Sequence, residues 1–385
     1  VAPLEPWEKV LVAADEFAQT AHGQIPCTDC HEGNQSSDKE EAHHNLVARP
    51  SENFRPTCSG CHYDVATTFG SSLHVTQAGY WDTLEKRAGT ENHPELDEMF
   101  GNHCASCHTS CGDCHVSQPS SVGGGFIDGH LFRQTPSLTR NCTACHGSRV
   151  GNEYLGKNEG VQADVHFRQG RMACVDCHSG QEMHASGASC TECHDGTNLM
   201  AVSPTTRYDG PPSPDCSDCH PEALTGEEDN VMHSQHGSQF QCQVCHSVSY
   251  TSCDSCHVSI SESSGKPKFE TSATYSTFII GKNPTQSVHR PYEYVVLRHV
   301  PVDPESFNFY GENLLPEFNS LPTWVYATPH NIQLSTPQNQ SCASCHANAD
   351  IFLTADKLPE EEIEANLPVL LDEVPDPFNQ LLTDD

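Results

Sequence analysis

The stretch Cys104-Ala-Ser-Cys-His-Thr-Ser-Cys-Gly-Asp-Cys-His115 contains two Cys-x-x-Cys-His motifs separated only by Thr109 and Ser110. Each spacing reads as c-type haem attachment, in which two thiols reach the two vinyl groups of one macrocycle and the adjacent histidine reaches its iron. From His108 to Cys111 the chain takes three peptide steps, which span at most about 11 Å. Two macrocycles attached here are therefore neighbours, with their planes partly overlapping.

The motif recurs until all 22 cysteines are used. The eleven sets begin with Cys27/Cys30/His31, Cys58/Cys61/His62, Cys104/Cys107/His108, Cys111/Cys114/His115, Cys142/Cys145/His146 and Cys174/Cys177/His178. They continue with Cys190/Cys193/His194, Cys216/Cys219/His220, Cys242/Cys245/His246, Cys253/Cys256/His257 and Cys342/Cys345/His346. A disulfide framework has no reason to place histidine after every second cysteine. Zinc ribbons pair two Cys-x-x-Cys units around one ion and do not need the histidines. Iron–sulfur clusters use other spacings.

On these motifs, residues 20 to 350 resemble the multihaem c-type cytochromes. The resemblance implies eleven covalent haem c groups with their iron, attachment outside the cytoplasm, and electron transfer rather than enzymatic turnover. The fold it implies is dominated by haem: mostly coil with short α-helices and little β, the macrocycles serving as the core. The low residue count per haem also resembles cytochromes that polymerise into extracellular filaments. A discrete periplasmic or surface carrier is the alternative, and a multihaem reductase of nitrogen or sulfur oxyanions, with Arg290 or Arg298 as anion-binding residues, is a third.

Composition agrees with a core that the polypeptide does not supply by itself. Leu, Ile, Val and Phe number 23, 8, 25 and 15 of 385 residues, about 18%, and the net charge is −33. Without a cofactor that combination belongs to disordered chains. The 52 acidic against 19 basic side chains exclude nucleic acid as a natural partner, because a phosphate backbone needs the opposite sign. They favour cationic redox partners or positively charged mineral surfaces as electron acceptors. No stretch reaches the roughly 20 apolar residues of a membrane helix. The expected location is extracellular or at the cell surface, alternatively periplasmic, after export and removal of a signal peptide.

Of 25 histidines, eleven belong to motifs, and the others are His22, His43, His44, His74, His93, His103, His130, His166, His184, His233, His236, His289, His299 and His330. With only five methionines, histidine must supply most second axial ligands. Merging close neighbours leaves eleven candidates: His22, His44, His74, His103, His130, His166, His184, His236, His289, His299 and His330. His43, His93 and His233 are the set-aside members of their pairs. Ligation by two histidines closes the iron to substrate and lowers its potential relative to His/Met ligation.

Apolar spacing predicts a helix over residues 7–22, ending at His22, and another over 94–103 with Pro94 at its start. Residues 292–300 read as a strand. Four regions are expected: 1–120 with haems 1–4, 121–257 with haems 5–10, a haem-free capping region 258–341 with some β, and 342–385 with haem 11 and a C-terminal arm. Gly123 to Gly125 mark a flexible joint between the first two. The arm, acidic yet rich in Leu, Val and Phe, is expected to dock on its own or a neighbouring subunit, with a homopolymer as the assembly.

Overall fold

The structure is a computed structural model that describes residues 4–89, 93–107, 109–185, 214–225, 230–276, 278–287, 290–300, 303–346 and 348–374. The chain is mostly short helices and coil with two small sheets. None of the described helices is long and apolar enough to cross a membrane. The chain divides into two compact units, and both are discontinuous in sequence. Unit 1 comprises Val1–Gly79, Cys104–Ser148 and Ala173–Ser213; unit 2 comprises Tyr80–His103, Arg149–Met172 and Pro214–Asp385. This interleaving cuts across the four sequential regions expected from the motif spacing.

In unit 1 the expected helix over 7–22 is broken into a 3-10 turn Glu8–Val10, a helical turn Ala14–Phe17 and a second 3-10 turn His22–Gln24. The backbone explains the break. Phe126 N–H donates to Lys9 O at 2.7 Å and Ala13 N–H donates to Gly129 O at 3.1 Å, so the carbonyl of Lys9 and the amide of Ala13 bond to a distant strip instead of continuing the helix. Of Gly123 to Gly125, expected as a joint, Gly123 and Gly125 lie at this contact, and Lys9 Nζ donates to Gly123 O at 3.2 Å. All three have positive φ, and a Cβ on Gly125 would lie 2.7 Å from Lys9 Cβ. Only glycine permits both the dihedral and the approach.

The apolar core of unit 1 is small: Phe54, Ala66 and Phe69, with Cys58, Val75 and Cys111 packed against it. Buried polar bonds do the rest of the joining. Asp113 accepts from Arg49 Nη2 at 2.7 Å and from Ser110 Oγ at 2.9 Å. Asn141 Nδ2 donates to Asp113 O at 2.6 Å and to Ser117 O at 3.0 Å.

The described strands lie in unit 2. β1 (Thr251–Ile260) and β2 (Pro267–Ser276) form an antiparallel ribbon with Cys253 opposite Thr274 and His257 opposite Glu270. β3 (Phe278–Lys282), β4 (Tyr294–His299) and β5 (Trp324–Tyr326) form a three-stranded antiparallel sheet in that order. β4 lies inside the stretch that the sequence reads as a strand, and Val295, Val296 and Leu297 are buried. The helix Pro94–His103 has the expected bounds and buries Leu96, Met99, Phe100 and His103 on one face.

The arm packs on its own chain as far as it is described. Leu371 joins Val244, Ile280, Val296, Ala327 and Phe352 in one cluster, and its N–H donates to Leu353 O at 2.9 Å. Gly281 permits this approach: a Cβ there would collide with Leu297 and lie 2.6 Å from Val369 O. Residues 375–385 lie outside the described residues.

Candidate metal centres

Most described motifs sit on a turn of helix. Cys27–His31, Cys111–His115 and Cys242–His246 are complete helical turns, Cys174–Cys177 is a helix, and Cys142 leads into the helix Thr143–His146. Residues three apart on a helix lie on one face, so both thiols of a motif face the same side.

Several motifs depart from this pattern. In the third, Cys107 ends the tighter 3-10 turn Ala105–Cys107, and its N–H donates to Cys104 O at 3.1 Å. The Cys107 thiol lies within hydrogen-bond reach of Cys145 in the fifth motif, a neighbour that the spacing did not indicate. In the eighth, the 3-10 turn Cys216–Asp218 stops one residue early, and Cys219 follows it as an exposed cap while Cys216 is half-buried. The N–H groups of Cys219 and His220 both donate to Cys216 O, at 3.2 and 2.9 Å, which still holds the three residues in one turn. In the tenth, Cys253, Cys256 and His257 lie on β1, where residues three apart point to opposite faces of the ribbon. There His257 Nε2 is 3.1 Å from Asp303 Oδ2. The seventh set is not placed: Cys190, Cys193 and His194 lie outside the described residues, as do His108 of the third motif and the candidate ligand His289.

The fold brings motif histidines against other histidines. Ring centres are 6.1 Å apart for His22 and His62, 5.8 Å for His31 and His130, 6.2 Å for His74 and His146, and 6.1 Å for His115 and His184. In unit 2 they are 6.2 Å apart for His166 and His220, 6.0 Å for His233 and His246, and 6.1 Å for His236 and His346. Each pair joins one motif histidine to one histidine from elsewhere. Two imidazole nitrogens about 2 Å from a metal on opposite sides, each about 1.1 Å from its ring centre, put the centres about 6.3 Å apart. The observed separations fit one metal ion held between each pair.

Several outer ring nitrogens are anchored as metal ligands require, whereas the buried Nδ1 of His130 has no hydrogen-bond partner. His31 Nδ1 donates to Val47 O at 2.8 Å, His115 Nδ1 to Arg133 O at 2.6 Å, His246 Nδ1 to Gln333 O at 3.0 Å and His236 Nδ1 to Met232 O at 3.2 Å. A carbonyl only accepts, so Nδ1 carries the proton and Nε2 keeps its lone pair for a metal. Carboxylates act similarly. His166 Nδ1 lies 2.9 Å from Asp164 Oδ1, and His178 Nδ1 lies 3.0 Å from both Glu182 oxygens. Hydrogen bonding to these carboxylates raises both histidines above the ordinary value, against the effect of burial.

Exposed apolar side chains flank the pairs: Ile25 before the first motif, Tyr63 and Val65 after the second, Phe167 beside His166, Leu224 near His220, and Val231 near His233. Phe132 stacks on His22 at 3.9 Å. Among the described residues, no group of three or more His, Cys, Asp or Glu side chains converges to hold a metal ion. A planar macrocycle with four nitrogen donors of its own, needing two axial imidazoles and apolar cover, fits this set of residues.

Other motifs approach one another as Cys107 and Cys145 do. Cys58 lies within hydrogen-bond reach of Cys111, which pulls the Cys58 thiol down to about 7. Cys142 is likewise next to Cys174, and Cys216 next to Cys242.

The remaining candidates have other surroundings. His44 is exposed. His103 is buried, with Nε2 2.8 Å from Tyr310 Oη. His299 packs 4.7 Å from Trp324, with Nε2 3.8 Å from Glu362. The His330 N–H donates to Glu153 Oε2 at 2.8 Å. Arg298, offered as an anion-binding residue, is buried against Glu153 and the Tyr250 hydroxyl. His233, set aside in favour of its neighbour His236, stands against His246. Their three-residue spacing on one helix is the signal that both face the same way.

No protein-family model, no curated protein and no solved structure matches this chain.

Proposed function

We propose that the chain binds eleven covalent c-type haems, most or all with two histidine axial ligands, and carries electrons over long distance through them. The observation that carries this reading is the set of histidine pairs at 5.8 to 6.2 Å, each joining a motif histidine to a second histidine. When bound, the haem supplies one-electron redox chemistry. The polypeptide would attach it through paired thiols, orient one imidazole of a pair through its Nδ1 contact, as at His31, His115, His166, His236 and His246, and cover the macrocycle with apolar side chains. A motif histidine and its partner histidine would together hold the iron, which would leave substrate no open position and suit the group to electron transfer. Donors and acceptors are then other redox proteins or extracellular minerals.

The density of one motif per 35 residues supports assembly into an extracellular filament. The arm supports it less, since residues 369–371 are buried in their own chain.

Intact-mass measurement of the exported protein tests the cofactor count, and electron paramagnetic resonance tests the ligation. Eleven haem masses with low-spin ferric signals are expected. A haem-free chain, or high-spin iron throughout, defeats the reading. Electron microscopy of the native protein decides between filament and discrete carrier.

A further inference from the structure

We infer that the helix Val231–His236 supplies the second axial ligands of two irons, those of the motifs at Cys242 and Cys342, and thereby holds them as one interacting pair. The inference rests on the haem reading above and deepens it.

The two motifs start 100 residues apart in sequence. On the helix, His233 faces His246 at 6.0 Å and His236 faces His346 at 6.1 Å. Side chains three apart on a helix have Cβ atoms about 5–6 Å apart; with about 3.6 Å from Cβ to Nε2 and about 2 Å to iron on each arm, the irons lie within about 17 Å. Macrocycles at that separation are direct neighbours.

A second strip of chain imposes the same proximity independently. Gln333 O accepts from His246 Nδ1 at 3.0 Å, and Gln338 Nε2 donates to Ser247 O at 2.9 Å. Thr336 Oγ1 donates to Cys245 O. The same strip continues into Cys342, and Cys345 Sγ lies 4.0 Å from Gln338 O. Cys245 and Cys345 pack on one apolar cluster. The pair is therefore built from two sides, by the ligand helix and by residues 333–338.

The test uses the fully loaded protein and the variants His233→Ala, His236→Ala and the double variant. Each single substitution should convert one iron per chain from low to high spin, and the double variant should convert two, with the haem count by mass unchanged. If either single variant leaves every iron low-spin, or if the double variant converts only one, the shared helix is refuted. His236→Met serves as the variant that keeps six ligands: it should raise one midpoint potential strongly and shift a single other measurably, its neighbour's. One shifted potential with no second change refutes the pairing. A wild-type protein without covalent haem would instead overturn the underlying reading, independently of these variants.

Discussion

The imidazole rings of His22 and His62 lie 6.1 Å apart, centre to centre, with 18° between their planes. His22 sits at the start of a 3-10 turn, and His62 closes the second motif. Burial and the neighbouring His62 both lower the proton affinity of His22. On the proposed reading His22→Ala should convert one iron to high spin without loss of haem mass, since Cys58 and Cys61 would carry the attachment. Resonance spectra showing no new high-spin iron would remove His22 from the ligand set.

The tenth motif predicts a local change of structure. Thioethers at Cys253 and Cys256 need both sulfurs on one side, and β1 puts them on opposite faces. β1 and β2 form a two-stranded ribbon, an arrangement of marginal stability by itself, so residues 253–257 can leave it at little cost. Mass spectrometry should find eleven haems in the wild type and ten in a Cys253→Ala, Cys256→Ala variant. Ten in both would show that this motif stays unloaded as a strand.

Glu153 is 1% exposed and pairs with Arg298, accepts from Tyr250 Oη at 2.5 Å and from the His330 N–H at 2.8 Å. Removing one partner of a buried ion pair leaves the other charge uncompensated, at a cost of about 3–5 kcal/mol. Glu153→Gln should therefore lower the unfolding midpoint far more than a substitution on the surface. A denaturation curve unchanged from wild type would show that the site relaxes to admit water.

Arg49 is the exposed side of a pair with the buried Asp113. Because Arg49 is 45% exposed, solvent screens the pair and the loss in Arg49→Ala is about 1 kcal/mol. Asp113→Ala also strips acceptors from Ser110 and Arg49 and should cost more, about 2–3 kcal/mol. Thermal melting of the two variants checks the order; an inverted order would mean that Arg49 carries the junction.

Deleting residues 366–385 removes Val369, Leu370 and Leu371 from the core of unit 2, each worth roughly 1.5–3 kcal/mol. The truncated chain should unfold at lower temperature even when single chains are studied. Unchanged stability with loss of assembly would return the arm to an intersubunit role.

The local content of this chain was legible in its residues. The eleven motifs are visible because the thiols and histidine of each are close in sequence, and the helix Pro94–His103 was readable from Leu96, Met99, Phe100 and His103 for the same local reason. The helix expected over 7–22 failed because Lys9 and Ala13 found backbone partners at Phe126 and Gly129, which no local period encodes. Contacts between motifs remote in sequence, such as Cys107 beside Cys145, are equally invisible to spacing. The histidine partnerships belong to the same class. His74 meets His146, His236 meets His346, and the same helix places His233 against His246. Composition sets how many ligands exist; which two rings face each other is a distance between segments remote in sequence, and only the folded chain determines it.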